Sequence, residues 1–225
     1  MALEKLRKVW ERTLTPIVEA MSWMSPATIT WIALPIGILG GLSVYLASAD
    51  DLGAAMLLGG GTLITLAMAL DGLDGPVARA TGRVTRWGDY LDHTFDRLLD
   101  AVWIICISAS IFVDDIVLGL AAAWFTLLGS YMGTQAQSVG LGRIYGGFSR
   151  ADRMVLTLVA LIVTAWQAHG DVSGASIETF HWLADWLLLG NSELNGMTFA
   201  LSISAWGGVY TFLVRFIKTR NGLIA

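Results

Sequence analysis

Charge is what this chain has least of: only 14% of its 225 residues are Asp, Glu, Lys or Arg, while 55% are hydrophobic. A soluble domain carries about one-quarter charged residues. The shortfall excludes a soluble globular protein and points to a chain that lives in a membrane. Cysteine is nearly absent. The single Cys106 lies inside an apolar run, so no intramolecular disulfide can form. Of the three histidines, His169 and His181 have no carboxylate or Cys cluster at ligand spacing and read as loop residues rather than metal ligands. There is no internal repeat and no low-complexity tract, and no nucleic-acid partner is expected.

What fills the chain instead is apolar runs. Six are long enough to cross a bilayer, at about 27–48, 52–72, 90–113, 116–138, 152–168 and 195–216. Between alternate spans basic residues are missing altogether: Asp50, Asp51, Asp114, Asp115, Asp171, Glu178, Asp185 and Glu193 share their side with no Lys or Arg. The fourteen basic residues lie on the other side, from Lys5 to Arg12, from Arg79 to Arg97, from Arg143 to Arg153, and from Arg215 to Arg220. Basic residues near span ends are retained in the cytoplasm, so both termini and the 80–88 and 140–150 loops are expected inside. The expected setting is a plasma or cell membrane, with lipids as surroundings.

Residues 3–22 repeat apolar side chains at three- and four-residue spacing (Leu3, Leu6, Trp10, Leu14, Ile17, Met21) with charge elsewhere around the helix. This predicts an interfacial amphipathic helix over 1–24. The fold class expected is therefore an all-α integral membrane protein, that helix followed by a six-helix transmembrane domain over 25–225. Ala47-Ser48-Ala49 resembles a secretory cleavage site, but the preceding apolar run of about 22 residues exceeds the usual 7–15. Residues 169–193 form the longest stretch outside the spans. Phe180, Trp182, Leu183, Trp186 and Leu187 predict a short helix on the outer surface.

The most informative segment is 71–96, DGLDGPVARATGRVTRWGDYLDHTFD. Asp71 and Asp74 share a helix face at the end of span 2, and Asp92 and Asp96 share one at the start of span 3. The short 80–88 loop predicts that the two helices are antiparallel neighbours whose four carboxylates converge. Each charged side chain at membrane depth costs roughly 2.5–3.5 kcal/mol at the centre, less toward the interface, so four acids need compensation. Hard carboxylate oxygens suit Mg²⁺ or Mn²⁺. The bland alternative is a structural salt network with Arg79, Arg83, Arg86 and Arg97. Asp89 and Asp100, near the same face of span 3, read as wet or ion-paired residues.

The segment fits D-x2-D-G-x2-A-R-x8-G-x3-D-x3-D, carried by Asp71, Asp74, Gly75, Ala78, Arg79, Gly88, Asp92 and Asp96, and so resembles the CDP-alcohol phosphotransferase family of membrane enzymes. The resemblance implies that Asp71, Asp74, Asp92 and Asp96 hold one or two metal ions, Mg²⁺ or Mn²⁺, and that Asp96 also receives the acceptor hydroxyl's proton. It implies a donor site at Asp74, Gly75, Ala78, Arg79, Thr85 and Gly88, with Gly75 letting a cytosine or diphosphate approach the backbone. The donor is a CDP-linked lipid, the acceptor a small polar alcohol, and CMP leaves. Ser25-Pro26-Ala27-Thr28-Ile29-Thr30 is similar to the family's lead-in to span 1, with Ala27 a departure.

GGFSRADR, residues 146–153, resembles the Gly-rich turn and paired arginines of the phosphatidylinositol-phosphate and archaetidylinositol-phosphate synthase branch, which implies that Arg150 and Arg153 bind the acceptor's phosphate. That branch also carries basic character at the end of span 4, where this chain has Met132-Gly133-Thr134-Gln135-Ala136-Gln137. His93 echoes the Asp-His-x-x-Asp wording of choline and ethanolamine phosphotransferases, so a CDP-amino-alcohol donor with a lipid acceptor is the second reading. A transporter or non-catalytic membrane protein is the reading from another class. Gly129-x3-Gly133 in span 4 is a small-xxx-small pattern, and family members are often homodimers, so a homodimer is expected.

Overall fold

The computed structural model describes residues 14–142, 144–170, 175–176 and 193–224. After a helical stretch at 14–21 come six long helices: α1 (Pro26–Tyr45), α2 (Asp51–Ala80), α3 (Arg86–Ser108), α4 (Ile116–Ser138), α5 (Arg150–His169) and α6 (Gly196–Ile224). Between α5 and α6 a two-residue antiparallel ladder pairs β1 (Ala175–Ser176) with β2 (Glu193–Leu194). Most of the expected amphipathic helix, and the surface helix expected around 180–187, lie outside the described residues.

Five of the six helices are long and apolar enough to cross a membrane. The exception is α3, where Asp92, Asp96, Arg97 and Asp100 fall within every stretch long enough to span. Large apolar side chains face outward around the bundle, among them Leu39, Leu58, Leu66, Trp124, Val155 and Trp166. Such a shell would be an aggregation liability in water and is the normal exterior of a multi-pass membrane protein.

Each helix start has a local cause. Ser25, Asp50, Thr85 and Asp115 each accept a hydrogen bond from the backbone N–H three residues on, capping α1 to α4. Such a cap is worth about 1 kcal/mol. At α5, Ser149 and Asp152 form a reciprocal capping box. The α1–α2 pair is drawn close by small residues: a Cβ on Gly40 would lie 3.0 Å from the Gly60 carbonyl oxygen, and one on Gly60 would lie 2.9 Å from that of Gly40. Trp103 is almost fully buried and donates from Nε1 to the Gly37 carbonyl at 2.8 Å, tying α3 to α1.

The packing departs from the sequence expectation in one instructive way. Although consecutive and joined by a short turn, α2 and α3 do not pack along their length; each packs on α1, while α5 lies on α2, and α6 lies on α4 and α5. The acidic ends of α2 and α3 meet only near the turn, which leaves space between them. Helix α2 also runs on to Ala80, past the expected end at about 72. The first half of the motif therefore sits on a continuous helix, with Pro76 four residues from its end.

Gly129 and Gly133 are taken up within the chain. A Cβ on Gly129 would meet the Thr211 side chain at 3.2 Å, and one on Gly133 would meet Arg215 Nη1 at 3.1 Å, so this face of α4 receives α6. The pattern thus serves intramolecular packing and does not carry the expected homodimer.

Candidate active site

The last turns of α2 and the second and third turns of α3 bring the motif acids together. Asp71, Asp74 and Asp92 each present a carboxylate oxygen, and these oxygens lie within 4.8 Å of one another. Asp74 is buried, and its Oδ2 accepts a 2.6 Å hydrogen bond from Thr30 Oγ1 of α1. Asp96, 14% exposed at its side chain, stands beside this group with its Oδ1 2.5 Å from Arg150 Nη1 and its Oδ2 accepting from Arg97 Nη2 at 3.2 Å.

A cavity of about 520 Å³ opens from this acid group between α1, α2 and α3. All six residues expected to hold the donor, Asp74, Gly75, Ala78, Arg79, Thr85 and Gly88, line it, together with Asp92. Gly75 and Gly88 have local reasons for being glycine. A Cβ at 75 would lie 3.3 Å from Arg79 Nη1, so its absence lets the guanidinium fold back beside the helix; one at 88 would lie 3.2 Å from Thr85 Oγ1, which caps α3 by accepting from the Gly88 N–H. Thr30 and Trp87 also line the cavity and were missed as site residues from sequence. Thr30 falls in the Ser25–Thr30 lead-in to span 1, and that segment's resemblance to the family is the signal for it.

Arg150 and Arg153 come to the opposite side of the acids. The turn that delivers α5 needs glycine: Gly146 and Gly147 have φ of +130° and +91°, and a Cβ on Gly147 would lie 2.6 Å from Thr211 Cα. Phe148 N–H then donates to Thr211 Oγ1, fixing the turn on α6. Arg150 Nη1 donates to Asp71 Oδ2 at 3.0 Å, Arg150 Nε to Asp100 Oδ1 at 3.1 Å, and Arg153 Nη2 to Asp100 Oδ2 at 2.9 Å. Both arginines also line a second, smaller cavity of about 30 Å³ between α4, α5 and α6, with Thr126, Ser130, Thr211 and Arg215.

Three of the residues that line this small cavity carry a buried polar atom without a partner among the described residues: Arg150 Nη2, Arg153 Nε and Thr126 Oγ1. An unmet buried donor costs about 1–3 kcal/mol, more for a charged group, so the cavity is built for a polar occupant. His93 belongs to neither cavity; it is half exposed, 3.7 Å from Asp92 and 3.8 Å from Asp89.

Residues 23–188 match the CDP-alcohol phosphatidyltransferase family, about three-quarters of the chain. The chain belongs to the CDP-alcohol phosphatidyltransferase family. It is accordingly a membrane transferase of phospholipid synthesis that moves a phosphatidyl-type group from a CDP-linked donor to an alcohol. Among curated relatives, the phosphatidylinositol phosphate synthase of Cutibacterium acnes is 33% identical over 170 residues, covering 72% of this chain and 78% of the relative. The archaetidylinositol phosphate synthase of Methanothermobacter thermautotrophicus is 34% identical over 158 residues, covering 69% and 75%. A crystal structure of Mycobacterium tuberculosis phosphatidylinositol phosphate synthase with CDP-DAG bound shares the fold of this transferase, with a TM-score of 0.67 at 21% identity over 92% of this chain and 94% of that one. A second structure of that enzyme, in complex with manganese and citrate, gives the same TM-score.

Proposed function

We propose that the chain is a phosphatidylinositol-phosphate-type synthase, which transfers a phosphatidyl or archaetidyl group from a CDP-linked lipid to inositol phosphate and releases CMP. The observation that carries this reading is the placement of the acid group between two cavities of opposite character. On one side lies a space large enough for a nucleotide, lined by the family's donor residues; on the other lies a small polar cavity lined by Arg150 and Arg153. Cation-lined space beyond the acids suits a phosphorylated acceptor better than a neutral one.

Asp71, Asp74 and Asp92 fit a divalent cation: their oxygens are hard donors, close enough to share one ion, with Asp96 alongside. The charge balance agrees. Five carboxylates (Asp71, Asp74, Asp92, Asp96, Asp100) face four guanidiniums (Arg79, Arg97, Arg150, Arg153), leaving the group short of positive charge. When bound, Mg²⁺ or Mn²⁺ supplies that charge and polarises the donor's diphosphate. Thr30 fixes the Asp74 rotamer, and Arg79 offers its guanidinium to phosphate oxygen from the donor cavity.

Asp96 serves as the base. The acceptor's hydroxyl oxygen forms a bond to the lipid-side phosphorus, the bond from that phosphorus to the bridging diphosphate oxygen breaks, CMP departs with its electron pair, and the hydroxyl proton goes to Asp96. No Ser or Cys nucleophile is needed, because positioning and charge neutralisation carry most of a phosphoryl transfer. The test is an acceptor panel on purified protein with CDP-DAG and Mn²⁺, reading CMP release with inositol phosphate, glycerol phosphate, inositol and serine. Inositol phosphate is expected to give the highest kcat/KM; a higher value for free inositol or serine would overturn the choice of a phosphorylated acceptor.

The active site faces the cytoplasm, as the one-sided placement of Lys and Arg supports. In a Cys106→Ala background, Arg83→Cys is expected to be protected from an impermeant thiol reagent applied outside intact cells, while Ala175→Cys is labelled. Labelling of both from the same side contradicts this topology.

A further inference from the structure

Asp100 lies outside the eight-residue signature, yet its side chain is completely buried in a bundle that has little charge to spare. A buried carboxylate persists only when paired and hydrogen-bonded. Here its two oxygens are divided between two residues one helical turn apart on α5: Oδ1 accepts from Arg150 Nε and Oδ2 from Arg153 Nη2, with Arg97 Nη2 a further 3.7 Å from Oδ2.

Arg150 is consequently shared. Its Nε end is tethered to Asp100 behind, its Nη1 rests on Asp71 and Asp96 in front, and its Nη2 has no partner and belongs to the residue lining the small cavity. A divalent cation at Asp71 and this guanidinium compete for the same negative charge. Without the tether, nothing described on α5 opposes a shift of Arg150 fully onto Asp71 and Asp96, which would weaken cation binding and withdraw a donor from the cavity.

We propose that Asp100 is a positioning residue for the transfer reaction: it holds Arg150 and Arg153 at the acceptor cavity and takes a share of the Arg150 charge that otherwise falls wholly on Asp71 and Asp96, so that a divalent cation competes with less of it there. This rests on the reading of Arg150 and Arg153 as acceptor-binding residues and of Asp71 as a cation ligand. It assigns a function to a buried ion group that would otherwise be a structural cross-link between α3 and α5. A cross-link alone predicts a change in stability; shared charge predicts a change in cation affinity that depends on Arg150.

The experiment measures Mn²⁺ binding by electron paramagnetic resonance on purified protein without substrates, alongside KM for inositol phosphate at saturating Mn²⁺ and CDP-DAG. Asp100→Asn keeps the shape and removes the charge, and is expected to weaken Mn²⁺ binding and raise the acceptor KM by about tenfold each, within the usual range of coupling between sites. Arg150→Gln, with Asp100 intact, is expected to tighten Mn²⁺ binding relative to the unsubstituted protein, which keeps the idea testable even if Asp100→Asn fails to fold. Asp100→Asn combined with Arg150→Gln should restore Mn²⁺ binding but not the acceptor KM. Equal weakening of Mn²⁺ binding by Asp100→Asn with and without Arg150→Gln, or weaker Mn²⁺ binding in Arg150→Gln itself, overturns the role given to Asp100. An unchanged acceptor KM in Arg150→Gln and Arg153→Gln refutes instead the acceptor reading, a result the Mn²⁺ measurements distinguish.

Discussion

Asp96→Asn is expected to lower CMP release by about 10³-fold while leaving donor affinity within a few-fold, the size of effect that loss of a general base produces. Asp96 stands beside the Asp71, Asp74 and Asp92 group rather than within its tightest set of oxygens, and it faces the arginine side of the site. Removing its charge therefore takes away the proton acceptor and leaves three carboxylates to bind the cation. Asp71→Asn should behave differently, losing Mn²⁺ and CDP-DAG binding together, because Asp71 is one of those three. Calorimetric or equilibrium-dialysis binding of CDP-DAG with Mn²⁺, set against turnover, separates the two variants. Near-normal CMP release from Asp96→Asn would remove the role assigned to it.

Loss of the α5 arginines should act on the other substrate. A hydrogen bond to a charged group is worth about 1.5–3 kcal/mol, so Arg153→Ala is expected to raise the acceptor KM roughly 10- to 100-fold with the donor KM little changed. Arg150→Ala should raise the acceptor KM comparably, but its contact with Asp71 and Asp96 means that cation and donor behaviour shift too. Arg153 touches Asp100 and not the motif acids, which makes it the cleaner probe. Steady-state kinetics with each substrate varied in turn is the measurement. An equal rise for donor and acceptor would mean that these residues only anchor α5.

Much of this site was legible in the sequence because helical spacing and motif spacing are local properties. The i,i+3 and i,i+4 placement of Asp71 with Asp74 and of Asp92 with Asp96 put the acids on shared faces, and the six residues expected to hold the donor line one cavity. Asp100 was less legible. It lies four residues after Asp96, as Asp96 lies after Asp92, but nothing local shows that α5 will pass behind α3 and bury it against two arginines. The splay of α2 from α3 was equally hidden, since it depends on α1 packing between them through glycines that read, in sequence, only as generic membrane-helix residues. The Gly129 and Gly133 pattern had the same ambiguity: small residues announce a close approach and do not say whether the neighbour is α6 or a second chain.

Metal-dependent transfer from a CDP-linked lipid to an alcohol that bears a phosphate is checked by incubating purified protein with CDP-DAG, Mn²⁺ and inositol phosphate, then quantifying CMP and the lipid product by mass spectrometry. CMP and phosphatidylinositol phosphate are expected in equal amounts, with both lost when the cation is chelated. CDP-DAG left intact in the presence of Mn²⁺ and inositol phosphate, or CMP released without any lipid carrying the acceptor, would contradict it.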